Sequence, residues 1–406
     1  MTENAAPFSQ SSAQLKVLDL GTQFAGPFAA TLLGDFGAEV IKCEQPGLGD
    51  PLRLPDGMSP RWQAIGANKR SITLNLRERE GQELLKRLAG WADVLIENFR
   101  PGTMDKWGIG YTALAEVNPR LVYVAISGFG TGGPYTHMSG YDFVGSALGG
   151  ATALTGYPDF PPVVPGVGAT DFTSGLFGAM GALEAVRRRD TTGGTGRGAF
   201  VDMALYEAML RYVSTEMADY TLEGVLRERA GGTPRRDGAG ELPMWYCYRT
   251  RDGRYIAMQP VTMGQIADLR ALIDNPALLD PKFENQKGRM ANSAELYDII
   301  SAWVAGYDFA DIWEVLKGTS IPAGPVNTIP DILEDPHVRK RGSIVSIRNA
   351  MGQEFTLPSA TPRMSGNDPA PRWTGEALGA STRHVYSQVL GLSDNEMDGL
   401  RERGII

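Results

Sequence analysis

The chain has 406 residues, 42% of them hydrophobic and 21% charged, with a formal net charge of −8. That length allows two or three domains with a full-sized core, and the negative balance argues against nucleic acid or an anionic membrane surface as a general partner. Cys43 and Cys247 are the only cysteines, which argues against a disulfide framework and a zinc spacing. No apolar run reaches membrane-spanning length, and residues 1–14 lack the basic start and apolar core of a signal peptide. A cytoplasmic protein with a polar, loose tail is expected.

Residues 15–20 (LKVLDL) read as a buried strand, followed by a Gly/Pro loop, a helix over 28–36 and a second strand over 39–43 that ends at Glu44. Such a βαβ unit predicts a parallel sheet with a right-handed crossover. An acid after the second strand suits a dinucleotide ribose. Yet the first turn, Gly21-Thr22-Gln23-Phe24-Ala25-Gly26, is neither G-x-G-x-x-G nor a P-loop, so that reading is set aside. Residues 45–66 are rich in Pro and Gly and read as an irregular loop. A strand over 68–77 carries basic residues at both ends, 80–88 is helical, and 93–96 is a strand running into Glu97-Asn98-Phe99-Arg100-Pro101-Gly102. Ligands gather at the carboxyl ends of strands in open α/β sheets, so this polar turn is well placed for one. Lys106 and Trp107 follow it. Basic residues beside exposed aromatics suit a nucleotide-like ligand with phosphates, although such charges standing alone are more often merely solvated.

A strand over 121–127 runs into Gly128-Phe129-Gly130-Thr131-Gly132-Gly133. Pro134 and Tyr135 follow where a dinucleotide fold would open a helix, and no acid lies about 20 residues on, so the segment reads as a loop. Tyr141-Asp142 begins the next helical stretch. Pro165-Gly166-Val167-Gly168-Ala169-Thr170-Asp171 then leads into a helix with Gly175, Gly178 and Gly181, closing on Arg187-Arg188-Arg189. Glycine costs up to about 1 kcal/mol against alanine inside a helix, so three at this spacing predict tight packing against a neighbouring backbone. Asp171 has two readings there. One is a helix N-cap; the other is a carboxylate that meets the acyl carbon of a substrate. A strand over 199–203 precedes a long helix over 205–222, and residues 223–242 turn Gly- and Arg-rich, as a linker or mobile loop does. Segments 245–249 and 255–259 flank an Asp252-Gly253 hairpin turn, with helices over 264–273, 293–305 and 309–317. After a Pro322-Ala323-Gly324-Pro325 break, a second hairpin over 343–357 and two final helices, about 382–390 and on to Arg403, complete the chain.

No zinc pair, G-x-S-x-G elbow or H-E-x-x-H occurs. His337 and His384 lie in ordinary surface contexts, and both cysteines sit in strands and read as buried apolar residues. A carboxylate is therefore the best candidate for covalent work.

Several blocks carry a resemblance over nearly the whole chain: Leu18-Asp19-Leu20 with Ala25-Gly26-Pro27, Gly37-Ala38-Glu39-Val40-Ile41-Lys42, Gly49-Asp50, and Asn68-Lys69-Arg70-Ser71. The run Asp93 to Gly102, Gly140-Tyr141-Asp142, Asp171 with Gly175, and Ile321-Pro322-Ala323-Gly324-Pro325-Val326 continue it in order. In these blocks the chain resembles the class III CoA-transferase family, which includes formyl-CoA and carnitine CoA-transferases and α-methylacyl-CoA racemase. The resemblance implies an α/β fold with a large Rossmann-like parallel-sheet domain, a smaller α+β domain and an interlocked homodimer. The large CoA-binding domain is expected over 1–200, completed by 375–406. A linker over 201–243, the small domain over 244–330 and a return linker over 331–374 make up the rest.

The same resemblance implies that Asp171 is the nucleophile. It would attack an acyl-CoA, expel CoA as thiolate and pass through aspartyl-anhydride and aspartyl-CoA intermediates. By resemblance, CoA contacts fall on Phe24, Ala25, Leu74, Arg77, Asn98, Phe99, Arg100, Lys106, Tyr141 and Asp142. Arg77, Arg100 and Lys106 would pair with phosphates. The CoA thioester is a substrate, with no metal and no permanently bound cofactor. Two departures bear on the acid. Phe24 stands where formyl-CoA transferases have glutamine, and Gly238-Ala239-Gly240 replaces their longer glycine loop. Formate/oxalate exchange is therefore not expected. Larger acids, such as succinate and a related dicarboxylate, are what the resemblance implies, because the family often uses succinyl-CoA. A 2-methylacyl-CoA racemase is the alternative. Racemases carry Gly-His-Asp where this chain has Gly140-Tyr141-Asp142, and a tyrosine with a pKa of about 10 is a poor general base; His137 keeps that alternative open. A CoA-binding regulatory protein is the non-enzymatic one.

Overall fold

The computed structural model describes residues 14–53, 57–234, 244–365 and 369–406. The expectations for residues 1–13 and for Gly238-Ala239-Gly240 lie outside the described residues. Six strands form one parallel sheet: β1 (Lys16–Asp19), β2 (Glu39–Glu44), β3 (Lys69–Thr73), β4 (Val94–Glu97), β5 (Val122–Ser127) and β6 (Phe200–Ala204). The accompanying helices are α1 (Ala25–Asp35), α2 (Pro60–Ile65), α3 (Arg79–Trp91), α4 (Thr103–Lys106), α5 (Tyr111–Val117), α6 (Asp142–Leu148), α7 (Ala169–Asp190) and α8 (Leu205–Tyr212). The strand order is β3-β2-β1-β4-β5-β6. The chain thus starts mid-sheet, winds to one edge, and returns to β4 to wind to the other. A doubly wound sheet of this order leaves a crevice outside the carboxyl ends of β1 and β4, where the winding reverses.

Side chains alternate along a strand, so each central strand supplies two cores. Val17, Val40, Val94 and Val122 pack with Ala29, Ala30, Ala179 and Ala182 of α1 and α7. Leu18, Ile41, Leu95 and Tyr123 pack with Leu84, Leu85 and Leu88 of α3 and with Val385, Tyr386 and Leu400 near the carboxyl terminus. Burial on both faces explains why these strands read as nearly continuous apolar runs.

The glycines of α7 have the packing role their spacing predicts. A Cβ at Gly175 would stand 2.7 Å from the carbonyl oxygen of Ala25; at Gly178, 2.9 Å from Ile126 Cδ1; at Gly181, 2.8 Å from Val201 Cγ1. The helix therefore lies against α1, β5 and β6 at distances that only glycine permits.

The chain divides into two compact units. One holds residues up to Gly150, Gly166–Ser214 and His337–Ile406; the other holds Ala151–Pro165 and Thr215–Pro336. The second is built on β7 (Tyr246–Arg249), β8 (Tyr255–Met258) and β9 (Ala323–Pro325), an antiparallel sheet of order β7-β8-β9. Its core includes Tyr248, Ile256, Phe283, Ile300 and Ile312. The segment 151–165, which the sequence reading left with the large domain, belongs to this unit. The Arg229 guanidinium reaches the carbonyls of Ala153, Tyr157, Pro158 and Phe160 at 3.1–3.3 Å. The antiparallel hairpin β10 (Ile344–Arg348) and β11 (Glu354–Pro358), expected in the return linker, falls in the first unit.

Local expectations change in five places. Residues 45–66, read as an irregular loop, hold α2, because Ser59 caps it by accepting from Trp62 N and Pro60 suits its first turn. The first helix starts at Ala25 rather than 28, because Pro27 in a first turn forfeits no hydrogen bond. The strand expected over 68–77 closes at Thr73. The long helix expected over 205–222 is two, α8 and Ser214–Glu223. Cys247 is exposed, not buried, because β7 turns Tyr248 inward to 0% exposure and its neighbour outward. No described helix is long and apolar enough to cross a membrane.

The α1/α7 contact yields a paired expectation. Gly175→Ala should destabilise the protein by about 1–3 kcal/mol through overpacking. Gly90→Ala, in α3 with no atom within 4 Å of the added Cβ, should stabilise it by about 0.5–1 kcal/mol. Denaturant unfolding of the two variants checks both signs.

Candidate active site

Three loops leave the carboxyl ends of β1, β4 and β5 and, with residues 138–141 and Asp171, line a partly open cavity of about 140 Å³. The position is the one the strand order dictates. Thr22, Gln23, Phe24 and Ala25 follow β1, Asn98 to Pro101 follow β4, and Ser127 ends β5 with Gly128 next after it. Asn98 stitches the first two loops together. Its Oδ1 accepts from Thr22 N at 2.7 Å and its Nδ2 donates to Thr22 O at 2.8 Å. Behind it, Glu97 accepts from Phe99 N at 2.6 Å and from the Tyr123 hydroxyl at 3.4 Å. Burial pushes the Glu97 carboxyl up to about 8, so it is largely neutral at pH 7. Phe99 stands edge-on to Trp107 at 5.6 Å, and Phe172, next to Asp171 in sequence, packs at 5.9 Å from Phe24 and 4.8 Å from Phe28.

Asp171 occupies the third position of α7, whose N-cap, Gly168, offers no side-chain bond. The capping carboxylate comes instead from Asp142 at the start of α6. Its Oδ2 accepts from Thr170 N at 3.3 Å, and the Asp171 N–H also reaches it. The cap reading thus passes to Asp142, and the Asp171 side chain is left to face the cavity. A helix N-terminus favours a carboxylate anion. Here burial outweighs that and, with the Asp142 charge adding to it, pushes Asp171 up to about 7. Burial also raises Asp142 above the usual carboxylate range, against the two backbone N–H bonds.

Phe24, Ala25, Asn98, Phe99, Arg100 and Tyr141 line the cavity with Asp171, and Asp142 stands behind it on the α7 terminus. Leu74, Arg77 and Lys106 do not line it. Leu74 is 2% exposed within the core, while Arg77 and Lys106 stand exposed. Sequence reasoning missed Gln23, Ser127, Gly128 and Met138. Ser127 and Gly128 follow from the same carboxyl-end rule that flagged the β4 turn; Met138 carries no such signal. His137 is exposed and outside the lining. Among the described residues no group of three or more His, Cys, Asp or Glu is arranged to hold a metal ion.

Residues 13–382 match the sequence profile described as CoA-transferase family III. The chain belongs to that family. A succinyl-CoA–D-citramalate CoA-transferase of Chloroflexus aurantiacus is 36% identical over 398 residues, 97% of each chain. The beta subunit of a succinyl-CoA–L-malate CoA-transferase from the same organism is also 36% identical, covering 97% of this chain and 98% of its own. Among solved structures, a CAIB/BAIF family protein from Brucella suis superposes with a TM-score of 0.81 at 31% identity. It covers 92% of this chain and 98% of that one. The family's α/β fold is the one seen here.

The capping geometry sets an expectation for this family member. Because Asp171 caps nothing, Asp171→Asn should fold normally. Its folded pKa of about 7 lies above the ordinary value of 3.8, so ionising it opposes folding as pH rises through that window. The variant should therefore melt at or above the parent temperature at pH 8, with the gap closing toward pH 4. Thermal melts across that range check the sign.

Proposed function

We propose that the chain transfers CoA from succinyl-CoA to a small dicarboxylic acid, with Asp171 as the covalent carrier. The observation that carries this reading is the uncapped, raised-pKa Asp171 carboxylate in the wall of the switch-point cavity. A deprotonated Asp171 oxygen attacks the thioester carbonyl. The C–S bond breaks, and CoA leaves as thiolate from a mixed anhydride. The thiolate then attacks the Asp171 carbonyl, releases the donor acid and forms an aspartyl-CoA thioester. The acceptor carboxylate reverses the two steps and departs as its CoA ester. Thioester and anhydride exchange with little net change only if water is kept out, so the bound CoA ester itself must cover the open side of the cavity. The α1 and α7 N-termini, ending at Ala25 and near Asp171, favour the thiolate and the oxyanion.

Phe24, Ala25, Asn98, Phe99, Arg100 and Tyr141 are the CoA contacts that the cavity supports, with Arg100 the basic residue of that lining. Arg77, Lys106 and Asp142 belong to the same proposal, the first two further out along the nucleotide and the last through its cap of α7, whereas Leu74, 2% exposed in the core, does not. Succinyl-CoA as donor is supported by the names of the two Chloroflexus enzymes, whose acceptors are D-citramalate and L-malate. Phe24 in the lining, where formyl-CoA transferases have glutamine, speaks against formate exchange.

The activity should rise with pH through about 7, as Asp171 loses its proton. CoA exchange measured from succinyl-CoA to a panel of acids should favour dicarboxylates. Quenching an acyl-CoA incubation with hydroxylamine should leave a hydroxamate on the Asp171 peptide, and Asp171→Asn should abolish both signals. Substantial turnover by that variant defeats the reading.

A homodimer is part of the proposal. Leu176, Met180 and Leu183 on one stripe of α7 are 54%, 57% and 51% exposed, an apolar face of the kind that marks an interaction surface. Light scattering should give twice the chain mass; an active monomer would exclude the assembly.

A further inference from the structure

Gln23, in the cavity wall, has a φ of 62°. That is the left-handed region, which a side chain with a Cβ rarely adopts, so the surrounding structure must hold it. The holder is Asp50, 2% exposed. Its carboxylate accepts from Gln23 N at 3.1 Å and 3.3 Å and from Leu52 N at 2.9 Å, and Lys42 Nζ lies 3.5 Å from its Oδ2. Asp50 is anchored in turn. Its N–H donates to Glu44 Oε2 at 2.9 Å, and Arg53 grips Glu44 at 2.6 Å and 2.7 Å.

Both flanks of the turn are bonded to the same charges. Asp19 accepts from Gly21 N at 2.9 Å, Lys42 donates to Gly21 O, and Lys69 donates to Pro27 O at 2.6 Å and to Asp19 at 2.8 Å. Three acids and three cations, none more than 4% exposed, thus clamp one short loop. Apolar residues of similar volume usually stabilise a core as well as a buried ion set does, so stability alone does not account for this one. What the set specifies is a loop conformation.

We propose that Asp50, outside the cavity lining, is a positioning residue for CoA transfer. Through its bonds to Gln23 N it holds the left-handed turn that presents the Thr22–Ala25 backbone to the bound thioester opposite Asp171. The inference rests on the reading of the Asp171 cavity as the transfer site.

The experiment is a double-mutant cycle on the full chain with succinyl-CoA as donor. Asp50→Ala should lower kcat by on the order of 10- to 100-fold, the scale of a misplacement of about 1 Å, with KM for the CoA ester changed far less. Glycine adopts the left-handed turn unaided, so in the Gln23→Gly background the same Asp50 substitution should lose only a small part of that factor. A purely structural role predicts equal losses in both backgrounds. Equal losses, or an unchanged kcat in Asp50→Ala, overturn the proposal. Should Asp50→Ala fail to fold, Asp50→Asn keeps the shape with a weaker acceptor and enters the same cycle. Asp171→Asn is measured alongside. Turnover there defeats the transfer-site reading alone, whereas a dead Asp171→Asn with additive Asp50 and Gln23 effects defeats the positioning role alone.

Discussion

The contact between α1 and α7 at Gly175 is the constraint on which the rest depends. With no Cβ there, α7 backs onto the Ala25 carbonyl at a distance no other residue allows. Ala25 is both the first residue of α1 and part of the cavity wall. One packing contact therefore closes the core on that face of the sheet and sets how far Asp171 stands from the β1 loop. It also brings two helix N-termini to one crevice. Two positive dipole ends would depress a carboxylate pKa, yet burial wins at Asp171 and leaves it near 7. A basic carboxylate in a place that favours anions is suited to attack and to the charges that attack creates.

The buried charges beneath the β1 loop act through geometry. Burial alone would raise Asp19, but the Lys42 and Lys69 ammoniums and the bonds from Lys69 and Gly21 hold it below the usual carboxylate range. Burial opposes the Lys42 charge, and Asp19, Asp50 and Glu44 more than restore it; at Lys69 burial prevails and lowers the pKa. Removing one partner from such a set costs about 3–5 kcal/mol by stranding the others. Exposed pairs such as Arg403–Glu80 and Arg383–Asp394 contribute at most about 1 kcal/mol each. Among the described residues the ion pairs buried on both sides therefore lie under the site, in a region the chain returns to from β1, β2 and β3.

Much of the frame was legible. The strands over 15–20, 39–43 and 121–127 lie within a residue or two of β1, β2 and β5, and both hairpins fall where their Asp-Gly and Met-Gly turns predict. The glycine spacing of α7 announced its packing. What stayed hidden was long-range. Nothing near Leu74 in sequence says that it sinks into the core while Phe24 does not, and nothing in the 205–222 pattern marks the break after Tyr212. The capture of residues 151–165 by Arg229 joins segments about 70 residues apart.

The sequence by itself determined the parallel sheet and the tight packing of α7, because apolar period, turn chemistry and glycine spacing are local properties that a chain carries unfolded. Asp171 as the candidate carboxylate came from the family resemblance of its blocks. Only the tertiary structure decided which carboxylate caps α7 and which is left to react. That choice hangs on Asp142 reaching the helix terminus across 28 residues of chain, and on burial shifting a pKa that no stretch of sequence contains.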